Sequence, residues 1–226
     1  MFDIIRLKKD TSVLFGSIDY LNLLPFQVFL KQHINNNAVQ SNLKRHRNVP
    51  SLINKAFHQG KVNAAFISSV TSKGCRCTDA GIVGIGKVYS VLLLNKKERA
   101  DSASQSSNAL TKVLDLKGEV MIGDRALKYY LDGGECTDLS EEWHKKTGLP
   151  FVFARLCYHK HQAQIIKLSK EFTKTKVFIP QYILKKEAKR REISPSDARW
   201  YLNHIHYKID PKAKQALKRF LRSAKA

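Results

Sequence analysis

The 226-residue sequence contains little cysteine and no long apolar run. Its four cysteines are too few for a disulfide scaffold, and Cys75-Arg-Cys77 lacks the spacing and the second pair of a zinc knuckle. The sequence contains no run of 18 apolar residues, so it predicts no transmembrane helix. Residues 1–6 also lack the basic and apolar segments of a secretory signal. We therefore expect a cytoplasmic protein with four free thiols, no metal site and no membrane contact.

Familiar catalytic motifs are also missing. The sequence has no Gly-x-Ser-x-Gly elbow, no Gly-x-x-x-x-Gly-Lys-Ser phosphate loop and no His-Glu-x-x-His pair. The stretch "GIVGIG" (81–86) is superficially similar to a nucleotide fingerprint, but no convincing strand precedes it and no helix follows it. His159 and His161 lie two residues apart after a predicted strand, which favours a loop over a metal site.

Acidic residues are scarce: 19 Asp and Glu stand against 40 Lys and Arg, giving a formal net charge of +21. Residues 155–226 hold 19 basic and 5 acidic residues, an excess of 14. A nucleic-acid surface would explain such an excess. The basic residues, however, stand singly or in short runs, and no aromatic recognition motif accompanies them. We interpret them as solvated helix faces rather than as a nucleic-acid site.

What the sequence does have is a regular alternation of apolar strands and amphipathic helices. Predicted strands cover residues 13–18, 62–67, 88–94, 119–122 and 151–158. Helical segments lie between most of them, and helices dominate the sequence after residue 162. This alternation predicts an α/β protein with mainly parallel strands.

Small polar residues stand where several predicted strands end. They are Asp19, Asn22, Ser68, Ser69, residues 104–108, and Gly123-Asp124. Ligands of open α/β sheets bind at such strand ends, where helix N-termini offer free N–H groups. Each residue alone also fits a helix cap or a tight turn, and Ser90 fits a satisfied core hydroxyl. The residues thus predict a small-anion site, with plain capping as the alternative.

The stretch "GSIDYLNLLPF" (16–26) resembles the opening signature of the chorismate dehydratases of the futalosine route to menaquinone. Their pattern is Gly-x-Ile-x-Tyr/Phe-Leu-Asn-x-Leu-Pro. Further blocks resemble the same family in the same order: "VPSLINKAFHQGKVNAAFISS" (49–69), "YSVLLLNKK" (89–97), "DSASQSSNALTKVL" (101–114), "MIGDRAL" (121–127) and "DLSEEWHKKTGLPFVFA" (138–154). The tail "ARWYLNHIHYKID" (198–210) is similar but less distinctive.

The resemblance implies an α/β, two-lobed, periplasmic-binding-protein-like type II fold with two crossover strands, at residues 89–95 and 151–158. The large lobe would comprise residues 1–94 and 155–226, and the small lobe residues 95–154. The small lobe looks trimmed, because only "DLKGEV" separates "NALTKVL" from "MIGD". Asp19 and Asn63 also depart from the family pattern.

The implied reaction is loss of water from chorismate to give 3-[(1-carboxyvinyl)oxy]benzoate, without cofactor or metal. Asn22 matches the family's catalytic Asn. An amide is not a general base, so we expect Asn22 to orient the leaving hydroxyl or the ether, while the substrate's own carboxylate takes the proton. The residues implied to bind the substrate dianion are Ser68, Ser90, Ser106, Ser107 and Gly123. Of these, Ser106, Ser107 and the Gly123 backbone are implied to hold carboxylates from the small lobe.

Two alternatives stay open. A non-catalytic small-anion binding protein of the same fold would share every polar strand end. The sister enzyme, dihydroxynaphthoate synthase, shares the fold but usually opens with a different Pro/Asn/Asp/Thr corner. A carboxylate at Asp19 would repel a dianion unless it is paired, so we do not place Asp19 in the catalytic set.

Overall fold

Two separate β-sheets organise the structure, a computed structural model that describes residues 13–33 and 47–224. In spatial order, the larger sheet contains β2 (Arg47–Asn48), β1 (Phe15–Ile18), β3 (Ala64–Ser68), β8 (Phe151–Tyr158), β4 (Cys77–Gly84) and β9 (Ile205–Lys208). The smaller sheet contains β6 (Glu119–Ile122), β5 (Val91–Leu94) and β7 (Thr137–Asp138).

Helices surround both sheets and mostly fall where the hydrophobic pattern predicts them. A 3-10 turn, Leu21–Leu23, precedes the first α-helix. The described α-helices are α1 (Leu24–His33), α2 (Pro50–His58), α3 (Gln105–Leu114), α4 (Gly123–Leu131), α5 (Leu139–Thr147), α6 (Gln162–Lys174), α7 (Gln181–Lys189), α8 (Pro195–Leu202) and α9 (Pro211–Ser223). None of these helices is long and apolar enough to cross a membrane.

The prediction of mainly parallel strands is wrong. Among the described strands, only the pairs β1–β2 and β1–β3 are parallel. The other five pairs are antiparallel. A parallel pair needs a long crossover connection, and the chain makes these only at its start. β8 enters the larger sheet between β3 and β4 after a long excursion through the smaller sheet, and it runs opposite to both.

Three strands of the larger sheet, β2, β4 and β9, escaped the sequence prediction. The stretch "GIVG" (81–84) is the second half of β4, which carries register irregularities where it pairs with β8. β9 is a short edge strand with polar residues, which gives little hydrophobic signal. The expectation of four free thiols is also wrong, because Cys77 and Cys157 form a disulfide. The register of β4 and β8 sets these two residues directly opposite each other.

The prediction of a crossover strand at residues 89–95 also needs correction. β5 pairs with β6 on one edge and β7 on the other, so it lies within the smaller sheet. The chain therefore passes between the sheets at residues 85–90, and it returns to the larger sheet at β8. The lobe boundaries 1–94, 95–154 and 155–226 stay a prediction, but the pairing of β5 groups it with the small lobe.

The core fixes the start of α1 firmly. Every residue from Leu24 to Leu30 is buried, so this helix has no solvated face over its first two turns. The Phe26 ring makes edge contacts with Phe66 of β3 at 4.9 Å and with Phe172 of α6 at 5.0 Å. Aromatic pairs of this kind add stability beyond the area they bury. The turn that precedes α1 is therefore attached to a rigid element.

Candidate functional site

One pocket collects the predicted site residues. It is lined by parts of both sheets and their connections. All six residues predicted from the sequence line it: Asn22, Ser68, Ser90, Ser106, Ser107 and Gly123. Apolar side chains form much of the remaining wall, among them Ile18, Ile82, Val91, Ile122 and Phe153.

Asn22 lies on the 3-10 turn between β1 and α1. Its backbone carbonyl accepts a hydrogen bond of 2.6 Å from the Tyr207 hydroxyl of β9. Its side-chain carboxamide has no hydrogen-bond partner among the described residues, although it lines the pocket. The backbone of Asn22 is thus held while its amide can still donate to and accept from a bound molecule.

Ser68 ends β3 and is oriented by a buried asparagine of α2. The Asn54 amide nitrogen donates to Ser68 Oγ at 2.9 Å, and the Asn54 amide oxygen accepts from the Ser68 N–H at 3.0 Å. The same amide nitrogen also donates to Gln105 Oε1 at 3.0 Å, at the start of α3. Since the Ser68 oxygen already accepts a bond, its own hydroxyl proton remains for a ligand.

Ser90 precedes β5 and pairs with a buried phenol. Its Oγ lies 2.9 Å from the Tyr201 hydroxyl of α8. Burial raises the pKa of Tyr201, so this phenol stays protonated and able to donate. When it donates to Ser90, the Ser90 proton is free to bind an acceptor in the pocket.

The start of α3 contributes hydroxyls and backbone donors together. Ser104 caps the helix by accepting from the Ser107 N–H at 3.1 Å, and its hydroxyl donates to Ser107 Oγ at 2.7 Å. Ser106 Oγ accepts a long bond, 3.4 Å, from the Val70 N–H. The N–H groups of Gln105 and Ser106 have no partner in the described part of the chain. A helix start with unpaired N–H groups and hydroxyl protons favours an anion.

The start of α4 is different, because Gly123 does not offer its N–H to the pocket. That group donates to the Ser90 carbonyl at 2.8 Å, so it is not free for the carboxylate that the sequence prediction gave it. Gly123 has a φ of +72°, and a Cβ there would lie 2.5 Å from the Tyr20 ring. Gly123 therefore lines the pocket as a residue that lets Tyr20 approach closely.

The pocket wall carries no formal charge. None of the described residues that line it is Asp, Glu, Lys, Arg or His. Burial, and then the charges of Asp101 and Asp124, raise the pKa of the Tyr20 phenol, so this group stays protonated. Asp19 does not line the pocket; both its oxygens pair with Arg190, at 2.7 and 2.6 Å.

Some residues of the site were missed by the sequence prediction. Tyr20 stands inside the opening signature, and its position two residues before Asn22 was a usable signal. Asn54, Tyr201 and Tyr207 orient Ser68, Ser90 and Asn22, but each is a single polar residue within an apolar or helical pattern. Nothing local distinguishes such residues from ordinary surface positions.

Comparisons with known proteins agree on one family. A family model described as menaquinone biosynthesis matches residues 109–226. The chain is 44% identical to the chorismate dehydratase of Campylobacter jejuni subsp. jejuni serotype O:23/36 (strain 81-176), over 95% of this chain and 98% of that protein. It is also 25% identical to the chorismate dehydratase of Thermus thermophilus, over 76% of this chain and 83% of that protein.

Solved structures support the fold alone. A protein from Archaeoglobus fulgidus matches with a TM-score of 0.64 and 13% identity, over 93% of this chain and 96% of that one. The periplasmic aliphatic sulphonate binding protein of Escherichia coli matches with a TM-score of 0.57 and 12% identity, over 92% and 84%. These likenesses confirm the predicted two-lobed, periplasmic-binding-protein-like α/β fold.

Proposed function

The chain belongs to the chorismate dehydratase family of menaquinone biosynthesis, and we propose that it removes water from chorismate to give 3-[(1-carboxyvinyl)oxy]benzoate. One observation carries this proposal from the structure. The residues that match the family's site meet in a single pocket that is rich in hydroxyls and has no charged side chain among its described lining residues.

Neutral donors suit a dianionic substrate. The hydroxyl protons of Ser68, Ser106 and Ser107 can bind carboxylate oxygens, and the start of α3 adds two N–H groups and a favourable helix dipole. No lysine or arginine is needed in the pocket for this binding. We assign the net charge of +21 a steering role toward the dianion rather than nucleic-acid binding.

The reaction needs one proton removed and one hydroxyl lost. The proton leaves the ring carbon that bears the enolpyruvyl ether, the hydroxyl leaves the neighbouring carbon, and the ring becomes aromatic. The described residues of the pocket wall include no group with an ordinary acid–base role near neutral pH. We therefore assign the base to the substrate's own enolpyruvyl carboxylate, and to Asn22 the orientation of the leaving hydroxyl or the ether.

The test is turnover of chorismate by purified wild-type protein and by Asn22→Ser. The wild type should yield the aromatic product, identified by mass spectrometry and ultraviolet absorbance. Asn22→Ser should lower kcat roughly a hundredfold, because the shorter side chain cannot reach the same atom. Its Tm should stay within a few degrees, since the Asn22 side chain makes no hydrogen bond to the described residues and its backbone bond to Tyr207 is retained.

The matched control is Asn48→Ser. Asn48 is an exposed asparagine just ahead of α2, where its Oδ1 accepts from the Val49 N–H at 2.9 Å. This variant should turn over chorismate like the wild type. Equal kcat for Asn22→Ser and wild type would reduce Asn22 to a turn residue. Binding of chorismate without any aromatic product would instead favour a non-catalytic binding protein of the same fold.

We also propose a cytoplasmic location, as expected for a biosynthetic family. Disulfides are commoner in oxidising compartments, and the chain contains one, so location needs its own test. Fractionation of cells that express the full gene should recover the protein with cytoplasmic markers. Recovery with periplasmic markers would contradict this location.

A further inference from the structure

The turn that carries Asn22 is bonded directly to the first residues of α4. The Leu21 N–H donates to Asp124 Oδ1 at 2.8 Å, across 103 residues of sequence. Leu21 follows a strand of the larger sheet, and Asp124 follows a strand of the smaller one. This bond therefore joins the two halves of the molecule one residue away from Asn22.

A buried arginine holds the other oxygen of the same carboxylate. Arg191 Nε donates to Asp124 Oδ2 at 2.6 Å, and the Arg191 side chain is only 6% exposed. Arg191 Nη1 also donates to Glu187 Oε2 at 2.6 Å and to the Glu187 carbonyl at 3.0 Å. Because both Asp124 oxygens are engaged, the carboxylate cannot rotate away from Leu21 without breaking a charge-assisted bond.

A second contact lies beside the first. The Tyr20 ring packs on Gly123, where a Cβ would come within 2.5 Å of it. Two successive residues before Asn22 thus touch the first two residues of α4. Asp124 itself does not line the pocket, so it can act on a ligand only indirectly, and its bond to Leu21 gives it a route through this turn.

We propose that Asp124 is a positioning residue that fixes the Asn22 turn against α4 and thereby sets the Asn22 carboxamide in the pocket. This inference rests on the proposed dehydration of chorismate, because it assigns Asp124 a role in that reaction. Asp124 needs no contact with substrate. It acts by holding the Leu21 N–H, and Arg191 holds Asp124 in turn.

The decisive test is a double-mutant cycle between Asp124→Ala and Asn22→Ser. In the wild-type background, Asp124→Ala should lower kcat roughly tenfold to a hundredfold, as misplacement of a reacting group does. In the Asn22→Ser background, the same change should cost less than about threefold, since the group that it positions is already lost. KM should change little in either background, because the serine hydroxyls bind the carboxylates.

The matched control is Asp132→Ala on the same helix. Asp132 follows the last turn of α4 and pairs with Lys128 at 2.9 Å, at an exposed position. Its loss should leave kcat unchanged. If Asp124→Ala does not fold, Asp124→Leu, which is close to Asp in size but offers no acceptor for the Leu21 N–H, replaces it in the cycle. Equal losses of kcat in the two backgrounds would overturn the positioning role.

Hydrogen exchange tests the Asp124–Leu21 contact directly, and turnover of chorismate by the wild type separates a failure of this role from a failure of the proposed function. The Leu21 amide should exchange at least about tenfold faster in Asp124→Ala than in wild type, and at the wild-type rate in Asp132→Ala. An unchanged Leu21 rate in Asp124→Ala would also overturn the inference. A wild type that leaves chorismate intact would instead overturn the proposed function, and the positioning role with it, whatever the exchange rates are.

Discussion

The two helices that reach the pocket from the side of the smaller sheet begin in different ways. α3 starts with a serine cap, and its first turn presents hydroxyls and two unpaired N–H groups. α4 starts without a side-chain cap, and its first N–H donates to the Ser90 carbonyl. The sequence prediction gave both starts the same role in binding a carboxylate.

The difference indicates that a polar helix start can offer donors to an anion only where its neighbours leave those donors unpaired. At α4, the Gly123 N–H donates to the Ser90 carbonyl, and an oxygen of Asp124 accepts from the Leu21 N–H. At α3, Ser104 and Val70 donate to serine oxygens and so leave serine protons free. We therefore expect α3 to contribute to substrate affinity and α4 to contribute to the placement of Asn22.

The largest effect should come from removing both pocket serines of α3. Ser106→Ala with Ser107→Ala should raise KM for chorismate about a hundredfold, because a hydrogen bond to a charged group is worth about 1.5–3 kcal/mol. The kcat should change less than KM, because these serines hold the substrate and do not themselves take part in the proton transfer. Steady-state kinetics over a wide range of chorismate concentration measures both values.

Ser169→Ala is the control for the loss of buried serine. Ser169 is buried in α6 and does not line the pocket, so its replacement should leave KM unchanged. An unchanged KM in the double variant, with only a lowered Tm, would show that Ser106 and Ser107 serve the helix and not the ligand.

Much of this site could be predicted from the sequence, and the reasons are local. Asn22, Ser68 and the serines of α3 follow strand ends or begin helices, and their segments match a family signature. The role of the Gly123 N–H could not be predicted, because its partner, the Ser90 carbonyl, lies 33 residues earlier in the chain, just ahead of β5. Local sequence gives a donor's position but not the acceptor that the tertiary fold brings to it.

The features of the fold also divide into those that local sequence predicts and those that depend on distant parts of the chain. Strand and helix segments follow from hydrophobic periodicity, and most of them were predicted correctly. Strand direction in the larger sheet was not, because β8 inserts between β3 and β4 only after the chain has built the smaller sheet. The Cys77–Cys157 disulfide was missed for the same reason, since 80 residues separate two cysteines that only this register makes neighbours.

A smaller effect should follow from Gly123→Ala, which disturbs the contact between α4 and the Asn22 turn. The added Cβ meets the Tyr20 ring and also imposes the strain of a positive φ. We expect kcat to fall about tenfold as the turn shifts, with KM affected less. Gly133→Ala is a close control, because Gly133 follows the same helix with a φ of +82° and no atom within 4 Å of its Cβ position. Equal kcat values for the two variants would show that the Tyr20 contact does not matter to the reaction.

The smallest effect should come from the cap of α3. Ser104→Ala removes the acceptor for the Ser107 N–H and the donor to Ser107 Oγ, so Tm should fall by an amount that corresponds to about 1 kcal/mol. Ser194→Ala removes a comparable cap from α8, where Ser194 Oγ accepts a hydrogen bond of 3.0 Å from the Asp197 N–H. Ser194 does not line the pocket. The two variants should therefore lose similar stability in thermal unfolding. Only Ser104→Ala should also raise KM for chorismate, by about threefold, because Ser107 then loses the bond that orients its hydroxyl. The same KM for both variants would mean that Ser104 only stabilises α3. The free N–H groups of this helix start, rather than its oriented hydroxyls, would then be the groups that bind the substrate.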